Sequence, residues 1–336
     1  MVKKKYKVVI TDYFKDSIIE KKILGDKVNV VCLDQVEENK LTDEIDDADV
    51  LLVWHTQISD KTLKRLKKCK AIIRYGVGFD NINIKSARLK NIDCANTPDY
   101  GISEVADTAC SMMLNLIRKI NLYNFNCKKY KNEWQVNVLK ENIKNPVKRL
   151  NEHKLGIIGF GRIGSLVSLR MREFGLKIGY YDPYVKKDKG KFSFLKKFKS
   201  INELVNFSSV ISINCVLNDQ TKSLINSTLI KQMNYNTIIV NTARGKIIKN
   251  LDCLMVGLKS LRIGGLGLDV LPEEPPNFND KLIKAWIHEK NPHHSKIIIN
   301  PHSGYYSSRS VVEMREKASK NALRVLNGKK ILNKVN

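Results

Sequence analysis

Short apolar runs alternate with polar, helix-like stretches over the first hundred residues. The runs KVVI, VNVVCL, DVLLVW, AIIRY and IDCAN have the length and the β-branched content of strands. Between them, SDKTLKRLKKC and NIKSARLKN predict helices or turns. Because strands and helices that alternate in this way form parallel sheets, the pattern predicts a doubly wound α/β sheet.

A longer helical pattern extends from Ser103 to about Asn126. Its apolar residues keep the i, i+3, i+4 spacing of one helix face. They are Val105, Ala106, Ala109, Met112, Met113, Leu116 and Ile117. We expect a helix that links two domains.

A second series of strands and helices follows this helix. It starts at KLGIIGFGRIG, continues through KIGYYD, SSVISINC, NTIIVNTA and RIGGLGLDV, and ends at KIIINPH. The tail from Ser308 to Gly328 is helical in pattern and is expected to pack back on the first domain. Since 336 residues suit two domains, the predicted fold class is α/β with two doubly wound parallel-sheet domains.

The formal charge of +25 draws attention to nucleic acid or anionic membrane as partners. However, only 13 of the 59 basic residues are Arg, and the lysines are spread along the chain. The densest patch, Lys186 to Lys199, is predicted to be a solvated loop and strand edge. No dedicated nucleic-acid partner is therefore expected.

Seven cysteines, an odd number without close pairs, indicate neither a disulfide framework nor a metal site. The N-terminus has no signal-like apolar region, and no run reaches the roughly 18 apolar residues of a membrane span. We expect an untargeted cytoplasmic protein with reduced thiols and no membrane partner.

The sequence GFGRIG, with Gly159, Gly161 and Gly164, stands between the apolar run LGII and a helical stretch. Glycines at this spacing permit a tight turn, and the following helix N-terminus offers N–H groups to a pyrophosphate. Asp182, 18 residues after Gly164, ends the next strand, where a carboxylate can accept hydrogen bonds from an adenosine ribose. The combination predicts NAD as the cofactor, in preference to NADP.

Three strand-end segments carry candidate chemistry for hydride transfer to a 2-oxo acid. NTARG contains Arg244, whose guanidinium can hold a carboxylate and the neighbouring oxo group. DVLPEEP contains Glu274 and INPHSG contains His302. A histidine can deliver the proton, and a carboxylate beside a histidine fixes its tautomer and favours its charged form.

The ordered motifs RYGVGFDNI, NTPDY, GFGRIG, YYDP, NTARG, GLDVLPEEP and NPHSG resemble the D-isomer-specific 2-hydroxyacid dehydrogenases over nearly the whole chain. In detail, DPYV, HSGYYS and VVEMREKA look like the branch that contains the C-terminal binding protein corepressors. The resemblance implies a flavodoxin-like substrate domain of residues 1–100, a Rossmann NAD-binding domain of 101–300, and a segment of 301–336 that returns to the first domain. The active site is expected in a cleft between the domains.

The resemblance also implies roles for single residues. Arg244, Glu274 and His302 would be catalytic, and Arg74 with the backbone of Val77 and Gly78 would bind the substrate carboxylate. The predicted cofactor-binding residues are Gly159, Gly161, Arg162, Ile163, Gly164, Asp182, Cys215, Val216, Asn218, Thr242, Ala243 and Asp269.

Two positions depart from the family pattern. Asn214 stands in NCVL where many relatives have His, which alters the cofactor wall, and Tyr305 stands where the corepressors have Trp, which alters the substrate pocket. Near that pocket, Trp54 and His55 follow a strand. We interpret them as a core pair, with a pocket wall as the alternative.

The predicted function is NAD-dependent interconversion of a 2-oxo acid and a D-2-hydroxy acid. Two alternatives stay open: an NAD-sensing scaffold resembling the corepressors, and a phosphoglycerate dehydrogenase, for which the chain has no room for a regulatory C-terminal domain. A homodimer is expected, because the helix after Ser103, with Trp134, offers more apolar surface than one monomer covers.

Overall fold

The structure is a computed structural model that describes residues 6–129, 135–136, 140, 143, 146–186, 190 and 192–336. The chain divides into two compact units. The first unit comprises Met1–Gly101 and Tyr306–Asn336, and the second comprises Ile102–Tyr305. These limits lie close to the domain boundaries expected at residues 100 and 300.

The first unit is a parallel sheet with helices on its faces. Its elements are β1 (Tyr6–Ile10), α1 (Ile18–Leu24), β2 (Val28–Cys32), β3 (Val50–Val53), α2 (Asp60–Arg65), β4 (Ala71–Arg74), α3 (Ile84–Leu89), β5 (Asp93–Ala95) and the last helix, α11 (Ser308–Leu326). The strands are ordered β2-β1-β3-β4-β5, which is the flavodoxin-like order. Strand β3 is buried at every position, as expected for a strand that is covered on both faces.

A buried ion pair attaches α11 to α1 within the first unit. The Arg315 guanidinium donates to both carboxylate oxygens of Glu20, at 2.8 and 2.7 Å, and the Tyr75 hydroxyl donates to Glu20 at 2.9 Å. Burial opposes the charge of Arg315, but the hydrogen bonds and charge of Glu20 outweigh it and raise the pKa of the guanidinium. The C-terminal helix is therefore part of the first unit's core.

The second unit is a larger parallel sheet. Its elements are α4 (Ile102–Arg118), α5 (Ile120–Lys129), β6 (Lys154–Ile158), α6 (Arg162–Glu173), β7 (Lys177–Tyr181), β8 (Lys196–Lys197), α7 (Ile201–Phe207), β9 (Val210–Ile213), α8 (Ser227–Gln232), β10 (Thr237–Asn241), α9 (Leu251–Lys259), β11 (Ile263–Leu268), α10 (Lys281–Ile287) and β12 (Ile297–Ile299). The order β12-β11-β10-β9-β6-β7-β8 contains the Rossmann arrangement, with its reversal between β6 and β9. The predicted fold class of two doubly wound parallel sheets is confirmed.

The helix predicted from Ser103 to Asn126 is two helices, so that prediction was wrong in its extent. Lys119 separates α4 from α5 with a φ of 54°, in the left-handed region. The apolar face of α4 is buried against the second unit's own strands and α6, so α4 belongs to that unit. The argument for a dimer from an uncovered α4 face is therefore wrong, and Trp134 lies outside the described residues.

The lysine-rich patch of residues 186–199 contains the short edge strand β8, as expected. Leu195 and Phe198 beside it are buried in the second unit, while residues 187–189 and 191 lie outside the described part. Within the described residues, no helix has both the length and the apolar character needed to span a membrane.

Candidate functional site

The three glycines of GFGRIG lie where β6 ends and α6 begins, at the point where the strand order reverses. Gly159 has a φ of 87°, and a Cβ there would lie 2.6 Å from the backbone of Cys215. A Cβ on Gly164 would lie 2.2 Å from the carbonyl oxygen of Gly159. Gly159 therefore permits the turn, and Gly164 permits the helix to pack closely on it.

Gly161 is the N-cap of α6 and faces open space, since a Cβ there would meet nothing within 4 Å. None of the described side chains caps this helix end. Arg162, which is exposed, and Ile163, which is half-buried, form its first turn. The N-terminus of α6 is thus an open anion-binding end of the kind that receives a pyrophosphate.

Asp182 follows β7 and holds the glycine turn in place. Its carboxylate accepts from the backbone N–H of Phe160 at 2.8 Å and of Tyr184 at 2.9 Å. Each oxygen has a further lone pair with which it can accept a ribose hydroxyl. The sequence predicted only the ribose contact, and the structure adds this positioning role.

The loops after β9 and β10 lie along the same edge. Burial raises the pKa of the Cys215 thiol to about 11, so it stays neutral, while Val216 is exposed. Asn218 organises its loop by accepting from the N–H groups of Gln220 and Thr221, both at 3.0 Å. The loop that the resemblance assigned to the cofactor wall is thus well ordered and partly open.

Thr242 and Ala243 follow β10. Thr242 is buried, and its hydroxyl oxygen has no hydrogen-bond partner among the described residues. The N–H of Ala243 donates to Asn241 at 3.0 Å. A buried hydroxyl without a partner is costly, so Thr242 is suited to receive a polar group of a ligand. Asn214 is similar, since its amide nitrogen donates to Ser212 at 2.9 Å while its buried oxygen has no partner in the described part.

Arg244 lies directly beyond this loop. One guanidinium nitrogen donates to the Ala243 carbonyl at 2.8 Å, and the Arg244 carbonyl accepts from the Asn241 amide at 3.0 Å. A Cβ on Gly245 would lie 1.9 Å from the backbone of Leu271. This close approach brings the loop after β10 against the loop after β11, which contains Glu274.

His302 and Glu274 form a hydrogen-bonded pair. His302 Nδ1 lies 2.8 Å from Glu274 Oε2, and the other carboxylate oxygen accepts from the Leu271 N–H at 2.8 Å. The His302 side chain is 30% exposed, and its backbone φ is 53°. Because Glu274 binds Nδ1, Nε2 is the ring nitrogen that can exchange a proton with a substrate.

The electrostatics favour an ionised Glu274. Burial opposes ionisation, but the hydrogen bond and charge of His302 outweigh it, with smaller contributions from the Leu271 N–H and the charge of Arg244, and lower the pKa of Glu274. The carboxylate therefore stays charged at neutral pH, and a proton shared by the pair resides on the imidazole.

Asp269 positions the His302 loop, a role that the sequence did not predict. Its buried carboxylate accepts from the N–H groups of Ser303 and Gly304, all at 3.0 Å, and its carbonyl accepts from the His302 N–H at 2.9 Å. Burial raises the pKa of Asp269, although these N–H groups and the charge of His302 oppose the increase. The sequence feature that could have indicated this role is an aspartate directly after a strand.

The first unit brings Arg74, Val77 and Gly78 together at the end of β4. A Cβ on Gly76 would lie 1.4 Å from a guanidinium nitrogen of Arg74, so this side chain lies directly over the loop. The loop is held by Asn96, whose amide donates to the Val77 carbonyl at 2.6 Å. Arg74 thus lies over the loop that contains Val77 and Gly78, and their binding of a substrate carboxylate stays a prediction.

Trp54 and His55 lie beside this loop, and their interpretation as a core pair was wrong. Trp54 is half-buried and His55 is exposed, and their rings contact Tyr13 and Phe14. Asn81 of the Arg74 loop donates to the Trp54 carbonyl at 3.3 Å.

The buried carboxylate of Asp12 holds the loop of residues 54–56. The sequence analysis did not predict this role of Asp12. It accepts from the N–H groups of Trp54 at 2.9 Å, His55, and Thr56 at 3.1 Å. The sequence feature that could have indicated this role is an aspartate just after the strand KVVI, as for Asp269.

Comparison with known proteins agrees with this geometry. The family model for the D-isomer specific 2-hydroxyacid dehydrogenase, NAD binding domain, matches residues 110–304. D-3-phosphoglycerate dehydrogenase of Methanocaldococcus jannaschii is 34% identical over 277 residues, which are 82% of this chain and 51% of that protein. C-terminal-binding protein 1 of Caenorhabditis elegans is 28% identical over 317 residues, 94% of this chain and 42% of that protein.

The chain thus spans about half the length of these curated relatives. Among solved structures, the D-lactate dehydrogenase of Aquifex aeolicus in complex with NAD and lactic acid has a TM-score of 0.81 and 26% identity, with 96% of each chain covered.

Proposed function

This chain belongs to the D-isomer specific 2-hydroxyacid dehydrogenase family, and from that premise we propose that it interconverts a 2-oxo acid and a D-2-hydroxy acid with NAD. The observation that carries the proposal is the 2.8 Å contact between His302 and Glu274 on a Rossmann sheet whose glycine turn is open. An acid–base pair at the carboxyl edge of such a sheet is suited to a reaction at a bound dinucleotide.

The residues at this edge fit NAD. Gly161 leaves room for a pyrophosphate at the N-terminus of α6, Asp182 has acceptor capacity for a ribose, and the Thr242 hydroxyl lacks a described partner. When bound, the reduced cofactor supplies the hydride. The protein's own residues must then supply a proton and bind the substrate's charge.

His302 is proposed as the acid and base. In the reductive direction its Nε2 donates a proton to the substrate oxygen, and in the oxidative direction the neutral ring accepts that proton back. Glu274 orients the ring through Nδ1 and stabilises its positive charge, without taking the proton itself. Asp269 acts indirectly, because it positions His302 by holding the backbone of residues 302–304.

Two arginines are proposed to bind the substrate. Arg244 can bind the carboxylate and polarise the oxo group with its planar, two-pronged donor set. In the first unit, Arg74 and the backbone of Val77 and Gly78 are proposed to bind the carboxylate. A homodimer and a cytoplasmic location with reduced thiols remain predictions.

Two other functions stay open: the activity named for one relative, phosphoglycerate dehydrogenase, and a scaffold like the corepressors that the sequence motifs resemble. A phosphoglycerate dehydrogenase would act on the 2-oxo acid formed from 3-phosphoglycerate, and a corepressor-like scaffold would bind the dinucleotide without needing turnover. The pairing of Glu274 with His302 favours an enzyme, because a scaffold has no use for a positioned acid.

The test is a screen of 2-oxo acids with NADH, followed by the loss of cofactor absorbance. The panel includes small, branched, aromatic and phosphorylated side chains. We expect turnover of at least one acid and its loss in His302→Ala. Tight NADH binding without turnover of any acid would replace the enzyme by the scaffold, and reduction of only the phosphorylated acid would select the phosphoglycerate enzyme.

A further inference from the structure

A cavity of about 320 Å³ lies in the second unit at the edge of the sheet opposite to the candidate active site. His153, Ser209, Asn236 and Lys296 immediately precede the strands β6, β9, β10 and β12, whereas the candidate catalytic residues follow their strands. The cavity is lined by these four residues, the end of α4, the start of α5 and residues 146–148. Its volume suits a small molecule.

The lining carries an excess of positive charge. Of the charged residues that the structure describes, Lys119, Lys148, Lys296 and the carboxylate Glu152 line the cavity. Glu152 accepts from the backbone N–H of Arg149 at 2.7 Å, which occupies one of its oxygens at a helix start. Among the described lining residues, the ammonium groups of Lys148 and Lys296 alone outnumber this carboxylate and favour an anion.

His153 adds a directed donor. Its Nδ1 lies 3.2 Å from the Ser209 hydroxyl oxygen, which is shorter than the 3.4 Å from that oxygen to the Lys154 carbonyl. Burial and the charge of Lys148 lower the pKa of His153, so the ring is neutral at pH 7. When Ser209 donates to Nδ1, the ring proton resides on Nε2, and this buried atom has no hydrogen-bond partner in the described part of the chain.

The wall formed by α4 and α5 is preformed. The side chains of Asn115 and Asn121 bond across the helix junction, where Asn115 donates to Asn121 at 3.0 Å and accepts from the Asn121 N–H at 3.1 Å. Between them Lys119 adopts a left-handed φ of 54°, a costly conformation for lysine. Strained backbone held in this way is concentrated at ligand sites.

We propose that this cavity binds a small organic anion. Its carboxylate or phosphate accepts from Nε2 of His153 and lies near Lys148 and Lys296. The apolar body of the ligand contacts aliphatic side chains of the lining, which include Leu116, Ile117, Leu122, Val147 and Ile238. The site is separate from the dinucleotide edge and does not depend on the proposed reaction.

The test uses citrate and inorganic phosphate as probes, titrated calorimetrically into the protein saturated with NADH. Saturation occupies the N-terminus of α6, the other anion-binding end, and sodium chloride at equal ionic strength controls for charge screening. The variants are His153→Leu and Lys296→Met. Lys177→Met is the matched control, since Lys177 is exposed at the same edge of the sheet but does not line the cavity.

We expect at least one probe to bind the unaltered protein and His153→Leu or Lys296→Met to weaken binding by roughly tenfold, the loss for one charge-assisted hydrogen bond. Lys177→Met should bind as the unaltered protein does. The proposal is overturned if neither probe binds at millimolar concentration. It is also overturned if sodium chloride at equal ionic strength abolishes the difference in affinity between the unaltered protein and the cavity variants, or if Lys177→Met weakens binding as much as they do. It is also overturned if the cavity variants change the mass in light scattering, because a second copy would then cover the cavity.

Discussion

Asp12 in the first unit and Asp269 in the second play the same structural role. Each holds a nearby loop of its own unit through hydrogen bonds. Each follows a parallel strand, is buried, and accepts backbone N–H groups from the loop of another strand. The loops they hold differ. Asp12 orders a loop with the aromatic Trp54, whereas Asp269 orders the loop of His302, which pairs with a carboxylate.

The same backbone arrangement can therefore present different side-chain chemistry in the two units. In both sheets a strand-end carboxylate satisfies N–H groups that a loop would otherwise leave without partners. What distinguishes the two edges is the side chain that the ordered loop carries. If this difference decides the chemistry, substitutions in the two units should differ in their effects on catalysis, stability, cofactor choice and pH dependence.

The largest effect is expected from the histidine of the second unit's edge, and a histidine of the first unit's edge is its control. His302→Ala should lower kcat for 2-oxo acid reduction by roughly 10²- to 10⁴-fold, the usual span for a positioned acid, while NADH affinity is retained. His55→Ala is the matched change on the first edge and should alter kcat by less than about threefold. Steady-state kinetics and NADH titration measure both. Equal losses in kcat would remove the proposed division between the edges.

The cores of the two units should differ in their sensitivity to charge removal. In the described part, the first unit buries Asp12, Glu20, Asp49 and Arg315, and the second buries only Asp269 among charged residues. Arg315→Met leaves Glu20 without its partner charge and should lower the free energy of unfolding by about 3 to 5 kcal/mol.

Urea denaturation measures this loss, with Arg309→Met on the exposed part of α11 as the control. The double variant Glu20→Leu with Arg315→Met should recover much of the stability, because no buried charge is then uncompensated. A single variant as stable as the control would show that the pair contributes little to the first unit.

Cofactor choice sharpens the assignment of the second edge. Because Asp182 has acceptor capacity at the glycine turn and would repel a 2′-phosphate, we expect NADH to be preferred over NADPH by at least about tenfold in kcat/KM. Asp182→Ala should reduce this preference. It should also weaken binding of both cofactors, since the N–H of Phe160 loses its acceptor. Equal use of both cofactors by the unaltered protein contradicts the assignment.

The smallest effect concerns pH. Since the pKa of Glu274 is lowered, its contact with His302 stabilises the fold above the ordinary carboxyl range and loses that contribution as the pH falls through the lowered value. Glu274→Gln removes the negative charge that stabilises the imidazolium. The high-pH decline of 2-oxo acid reduction should therefore begin at lower pH in the variant. Glu273→Gln, exposed next to it, should leave the profile unchanged.

Local patterns were sufficient for the strands and the glycine turn. The runs around Val50–Val53 and Lys154–Ile158 are continuous apolar stretches, and Gly159 and Gly164 are required by contacts within a few residues or the adjacent strand. The break at Lys119 was missed because lysine has no preference for a left-handed φ.

Contacts between distant residues could not be predicted in the same way. Glu20 and Arg315 are 295 residues apart, and Asp12 meets a loop more than 40 residues away. Motif resemblance placed His302 and Glu274 correctly as a pair, because family motifs encode spatial neighbours. It did not show that Asp182 holds the glycine turn or that Asp269 holds the His302 loop. In the sequence, an aspartate at a strand end looks the same whether it binds a ligand or the backbone.

The attachment of α11 to the first unit has a consequence for synthesis on the ribosome. Glu20 emerges 295 residues before Arg315, and at about 5 to 20 residues per second this interval is roughly 15 to 60 s. The second unit is continuous in the chain and can close while synthesis proceeds. The nascent first sheet must instead stay incomplete during that interval, with the site of α11 uncovered, so the synthesis of α11 controls when the first unit can mature.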